Sequence, residues 1–144
     1  MAQDEKIHDS PDGKVAKHIQ NYIESDGQKG HEYYGVSSLL LTTRGRKSGL
    51  LRRTALYYGV DGDHYVIVAS RGGHDHHPAW YLNLAENPEV EVQVNADKFT
   101  AIAHTADAEE RAKLWPMMAK IFPTYNRYQT KSKREIPVVV LVKK

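Results

Sequence analysis

A chain of 144 residues with no cysteine and a formal net charge of only +2 is long enough for one domain with its own core, and it offers neither a disulfide framework nor a thiolate. Its basic excess is local, whereas non-specific nucleic-acid binders carry a broad one. No apolar run approaches a membrane span and Met1–Lys6 lacks the apolar core of a signal peptide, so the expected location is the cytoplasm.

Residues 1–10 are polar and are expected to be disordered, with 11–144 forming a single domain. Pro11 to Ser25 reads as a helix with Val15, Ile19, Tyr22 and Ile23 on one face, ended by Gly27 and Gly30. Such a helix packs as a lid on a barrel; the alternative is contact with an apolar substrate or, peripherally, with a membrane. Strands are expected over Ser37–Thr43 and Thr54–Val60, then a tight turn at Asp61-Gly62-Asp63 and a returning strand over His64–Ser70. After the loop Arg71–His77, Pro78 opens a short helix, Ala79–Glu86, closed by Asn87-Pro88.

Glu89–Val94 alternates valine with acid or amide, the period of a half-exposed strand, and Asn95–Asp97 turns the chain into Lys98–His104. Thr105 or Asp107 can cap a helix running to Ile121, which Pro116 is expected to kink or interrupt. Thr124–Thr130 adds a helical turn or two, and Ile136–Val142 is a last, continuously apolar strand. About six strands without a strand–helix–strand repeat argue against a doubly wound parallel sheet. The expected class is mainly β with peripheral helices, a small antiparallel barrel.

Three elements stand out chemically. Between Glu32 and Asp61 there is no acid, yet Arg44, Arg46, Lys47, Arg52 and Arg53 crowd into ten positions, punctuated by Gly45 and Gly49. Such a turn suits a phosphate or carboxylate. The second element, Ser70–Pro78, leaves a strand and enters a helix, with Arg71 and the Gly72-Gly73 pair placed for close approach to an anion. His74, Asp75, His76 and His77 in this loop are consecutive and cannot all face one ion well, so no metal is expected. In the helix that follows, Trp80 and Leu84 share a core face and Asn83 can donate and accept. Third, Tyr125 and Tyr128 stand three apart and can line one side of a cleft. A nucleotide loop, a dinucleotide fingerprint and a serine elbow are all missing.

In order, Leu39-Leu-Leu-Thr-Thr-Arg-Gly-Arg-Lys-Ser-Gly49, Arg52, Asp61-Gly-Asp, Val68-Ala-Ser-Arg-Gly-Gly, His77-Pro-Ala-Trp-Tyr-Leu-Asn-Leu, Asn87-Pro and Ile136-Pro-Val-Val-Val-Leu resemble the deazaflavin-dependent nitroreductase family over residues 37–142. The resemblance implies a split β-barrel of the flavin-binding type that holds reduced coenzyme F420, an 8-hydroxy-5-deazaflavin with a phosphate and a glutamate tail. It implies that Lys47 and Arg52 clamp phosphate or tail carboxylates beside Arg46, Ser48 and Gly49, and that Thr54 meets the tail or the ring edge. Ala69, Ser70, Arg71, Gly72 and Gly73 would cradle the phosphate and deazaflavin side, although family members often carry lysine where Arg71 stands. Pro78, Trp80 and Asn83 would shape the wall.

By the same resemblance, hydride passes from the deazaflavin to a planar electrophile: a quinone, a nitro compound such as a nitroimidazole, or an activated enone. The implied proton donor is Tyr125, then Tyr128, with Tyr22, Tyr33 and Tyr34 contributing to the acceptor pocket. The implied partner is thus a small molecule and not a nucleic acid, and the protein would be a monomer or homodimer. The competing readings are an FMN oxidoreductase of the same barrel, a non-catalytic cofactor carrier, and a barrel gripping single-stranded nucleic acid through its basic hairpin and tyrosines.

Overall fold

The computed structural model describes residues 5–144. Among these residues nine strands form the sheet: β1 (Ile7–Asp9), β2 (Glu32–Tyr33), β3 (Val36–Arg44), β4 (Leu51–Tyr57), β5 (Gly59–Asp61), β6 (His64–Val68), β7 (Glu89–Val94), β8 (Asp97–Thr105) and β9 (Val138–Lys143). The hydrogen-bonded order is β1-β4-β3-β7-β8-β9-β6-β5, with β2 on β3, and this path does not close on itself. The protein is therefore mainly β, but with more strands than the six expected. Part of the excess arises because the expected strand Thr54–Val60 is two elements: β4 ends at Tyr57 and β5 starts at Gly59.

Another part of the excess lies at the amino terminus. Residues 1–4 of the segment expected to be disordered lie outside the described residues. Ile7–Asp9, by contrast, is paired in parallel with Leu51–Arg53. Two ion pairs hold it there, Arg53 to Asp9 at 2.6 Å and Arg44 to Glu5 at 2.8 Å. The Arg44 guanidinium also keeps the Glu5 carboxyl below its ordinary range.

The central strands are apolar without a break because both faces are covered. Leu39, Leu41, Ile67, Val139 and Leu141 point into one core with Val90, Val92 and Phe99. Their sequence neighbours point the other way: Val66, Val68, Val138 and Val140 pack with Leu114, Met118 and Tyr125, and Leu40 packs with Ile19 and Tyr22.

Helix α1 (Gly13–Glu24) starts at Asp12, whose Oδ1 accepts the N–H groups of Lys14 and Val15. Its apolar face lies against the sheet, with Ile19 and Tyr22 fully buried. A 3₁₀ turn (Arg71–Gly73) and α2 (Ala79–Glu86) follow β6. Helix α3 (Ala108–Ile121) opens with a capping box between Asp107 and Glu110. It runs through Pro116 without interruption. Pro116 and Ala112, whose carbonyl loses its helical donor, are both exposed, so water can replace that bond. Helix α4 (Thr124–Lys131) completes the set.

Candidate active site: a cleft with a basic end and an aromatic end

Two cavities, of about 420 Å³ and 630 Å³, share Thr54 and Trp80 in their walls and so adjoin, giving a site with two chemically different ends. The smaller is basic, lined by Arg46, Lys47, Ser48, Arg52, Thr54, Trp80 and Asn83 from the β3–β4 turn, β4 and α2. Thr54, Ser70, Arg71, Gly72, Pro78, Trp80, Tyr125 and Tyr128 line the larger, where Tyr33, Tyr57 and Phe122 add to an aromatic wall. Of the residues expected here, Gly49, Ala69 and Gly73 line neither end. Gly49 closes the basic turn, donating its N–H to Gly45 at 2.9 Å with φ +71°. Ala69 is fully buried, and Gly73 is packed against the Tyr128 backbone.

The basic end is sorted by its neighbours. Glu5 and Asp9 engage Arg44 and Arg53. The side-chain oxygen of Asn83 accepts from both the backbone N–H and the guanidinium of Arg46. Among the described residues no carboxylate pairs with Lys47 or Arg52, and both are exposed. The amino-terminal segment thus neutralises two cations of the cluster and leaves the others facing the cleft. It also contributes His8, Asp9, Ser10 and Pro11 to the wall, which sequence reasoning missed. A three-residue strand without apolar alternation carries no local signal of pairing with residues more than forty positions away.

The aromatic end is dense. Tyr57 and Phe122 lie 5.1 Å apart between ring centres, Phe122 and Tyr125 5.0 Å, and Tyr125 and Tyr128 6.5 Å. Tyr33 stacks on His18 at 4.1 Å, and the His18 Nε2–H donates to the Gly30 carbonyl. Tyr125 is only 4% exposed, and burial, with Tyr57 and Tyr128 nearby, raises its phenol well above the ordinary value. Burial raises the Tyr57 phenol too, assisted by Tyr33 and Tyr128. Tyr22, expected near this pocket, belongs to the core: its hydroxyl donates to the Ser38 carbonyl and accepts the Asn95 N–H. Tyr34 is 87% exposed at the β2–β3 hairpin, edge-on to Tyr33.

The loop after β6, whose Ser70, Arg71 and Gly72 line the aromatic end, is strained. Arg71, Gly72 and Gly73 all have positive φ, of +46°, +59° and +81°, and only the glycines adopt such angles without cost. His77 packs against Tyr81 with the rings tilted, 4.8 Å apart, and desolvation, then the Arg134 charge, hold its imidazole below the ordinary pKa. Among the described residues, no three His, Cys, Asp or Glu side chains are placed to hold a metal ion.

A protein with an open antiparallel-rich sheet and a cleft that is basic at one end and aromatic at the other is equipped for a large planar ligand with an anionic tail. The sequence profile of the F420H(2)-dependent quinone reductase family matches residues 14–143. An F420H(2)-dependent quinone reductase of Mycobacterium tuberculosis is 40% identical over 131 residues, 88% of each chain. Among solved structures, an F420H2-dependent reductase, FDR-A, is similar at TM-score 0.67 and 38% identity, covering 72% of this chain and 92% of that one. Another, described as a domain-swapped dimer, is similar at TM-score 0.71 and 34% identity, covering 88% and 92%. The chain belongs to the F420H(2)-dependent quinone reductase family and is an F420-dependent oxidoreductase. The donor set suits that cofactor: Lys47 and Arg52 are free for phosphate or carboxylates, beside apolar walls for a tricyclic ring.

Proposed function

We propose that the protein reduces a planar electrophile, a quinone first and nitro compounds or activated enones by extension, at the aromatic end of the cleft while the basic end holds the cofactor's anionic tail. The observation that carries this reading is that a basic and an aromatic cavity lie side by side, with Thr54 and Trp80 as their common wall. Lys47 and Arg52 bind tail carboxylates or phosphate, Arg46 and Ser48 flank them, and Asn83 holds Arg46 in place. Ser70, Arg71 and Gly72, which line the aromatic cavity, cradle the deazaflavin side, with Pro78 and Trp80 as the wall. When bound, the reduced deazaflavin supplies a hydride.

The chain's own task is orientation, exclusion of water and delivery of a proton. Tyr125 is our first proton donor and Tyr128 the second. A phenol is protonated at neutral pH, and burial raises that of Tyr125 further, so it enters the reaction carrying its proton. We infer further that the sheet is a split β-barrel, in keeping with its unclosed strand path.

Among the described residues no helix is long and apolar enough to cross a membrane. The apolar face of α1, the expected place for a peripheral membrane contact, packs on the sheet, with Ile19 and Tyr22 fully buried. A homodimer is the assembly we favour, given the swapped dimer formed by a relative. The test is turnover: loss of F420H2 absorbance with menadione as acceptor, blank-corrected without protein. Acceleration proportional to protein supports the reading, and binding of the cofactor without turnover makes the protein a carrier.

A further inference from the structure

Three carbonyls of the strained loop are taken by one side chain from elsewhere in the chain. Arg134 donates Nη1 to the Ala69 oxygen at 3.1 Å, Nη2 to Ser70 at 2.9 Å and Nε to His74 at 3.0 Å. Neighbouring residues add two more ties, Ser132 Oγ to the His74 carbonyl at 3.2 Å and the Lys133 N–H to Asp75 Oδ1 at 2.8 Å. This clamp follows directly on α4, the helix that carries Tyr125 and Tyr128. Helix and loop also touch: a Cβ added at Gly73 would stand 2.9 Å from the Tyr128 carbonyl oxygen and 3.0 Å from its Cα.

A guanidinium is suited to this place because its planar fork can serve several carbonyls at fixed angles, which an ammonium cannot. Backbone strain at Arg71 persists only where the surroundings over-determine it, and such strain gathers at ligand sites. On the reading given above, the loop borders the cofactor and α4 borders the acceptor. We infer that Arg134 is a positioning residue that joins the Ser70–Gly73 loop and α4 into one rigid unit and so fixes the separation between cofactor and acceptor wall. It touches neither reacting partner; it acts through Ser70 on one side and through the placement of Tyr125 and Tyr128 on the other.

The experiment is amide hydrogen exchange on the full chain without cofactor, for the wild type, Arg134→Lys and Gly73→Ala, followed by cofactor titration and steady-state rates with menadione. In both variants, exchange in residues 70–76 and in α4 should accelerate together by about tenfold or more, with α3 unchanged. The rate kcat should fall on the order of tenfold to a hundredfold while the dissociation constant of F420 moves less. Guanidinium ion added to Arg134→Ala should restore part of kcat. Faster exchange confined to the loop, or kcat within about twofold of wild type in both variants, overturns the inference. Absence of F420 binding by the wild type would instead overturn the functional reading, and the exchange data would still decide whether loop and helix move as one. Should Arg134→Lys fail to fold, Gly73→Ala disturbs the same junction from the loop side.

Discussion

Asn83 and Arg46, thirty-seven residues apart, are joined twice: the Asn83 side-chain oxygen accepts the Arg46 backbone N–H at 3.1 Å and its guanidinium at 2.9 Å. Asn83 is 4% exposed, and its amide N–H donates in turn to Thr43 Oγ1 at 3.3 Å. A buried side chain from α2 thereby fixes the conformation of the basic turn. Asn83→Leu should remove this tether and leave two donors unpaired, at about 1–3 kcal/mol. The expected outcome is a lower Tm together with F420 affinity reduced about tenfold, measured by thermal melt and fluorescence titration.

Lys47 and Arg52 stand on the surface without a carboxylate partner among the described residues, so their removal should leave folding intact. Lys47→Ala and Arg52→Ala should each weaken F420 binding by about tenfold, consistent with about 1.5–3 kcal/mol for a charged hydrogen bond diluted by solvent exposure. Affinity of the wild type should fall as salt rises, and less steeply in the variants. Unchanged affinity in both variants contradicts the assignment of the tail to this end.

Tyr125→Phe separates proton delivery from binding. The ring stays packed against Phe122 and Trp115, so cofactor affinity and Tm should change little. The rate kcat with menadione should fall by about tenfold to a hundredfold. An unchanged rate moves the role to Tyr128 or to water.

Much of this layout was legible in the chain. The glycine-punctuated cations, the Ser70–Gly73 loop and the paired tyrosines announce themselves locally, and the strands that are covered on both faces announce themselves as unbroken apolar runs. What was hidden depends on distant partners. Ile7–Asp9 becomes a strand only because Leu51–Arg53 offers an edge. Arg134, one cation among many in a polar stretch, matters through carbonyls about sixty residues away. Tyr22 is assigned to the acceptor pocket by the family resemblance, whereas its helical spacing with Val15, Ile19 and Ile23 points to packing, and its hydroxyl is tied inside the core.

Tyr22 also makes a pH prediction. Burial pushes its phenol up to about 12, against an opposing effect of the Asn95 N–H. The folded value lies above the unfolded one of about 10. Its contribution is therefore complete below pH 10 and is lost as pH rises from about 10 towards 12, at up to about 1.4 kcal/mol per unit. Tyr22→Phe should be less stable at pH 7, by about 1–3 kcal/mol for the unpaired Asn95 N–H, and should lose stability less steeply across that alkaline window. Urea melts at pH 7, 9 and 11 give the comparison.

The most direct measurement is a paired titration of the purified protein with coenzyme F420 and with FMN, followed by tryptophan and cofactor fluorescence, because Trp80 lines both the basic and the aromatic cavity. Selective F420 binding that weakens in Lys47→Ala and Arg52→Ala is the predicted result. Selective binding of FMN, or F420 binding indifferent to both substitutions, would contradict the reading of the basic end as the seat of the deazaflavin's tail.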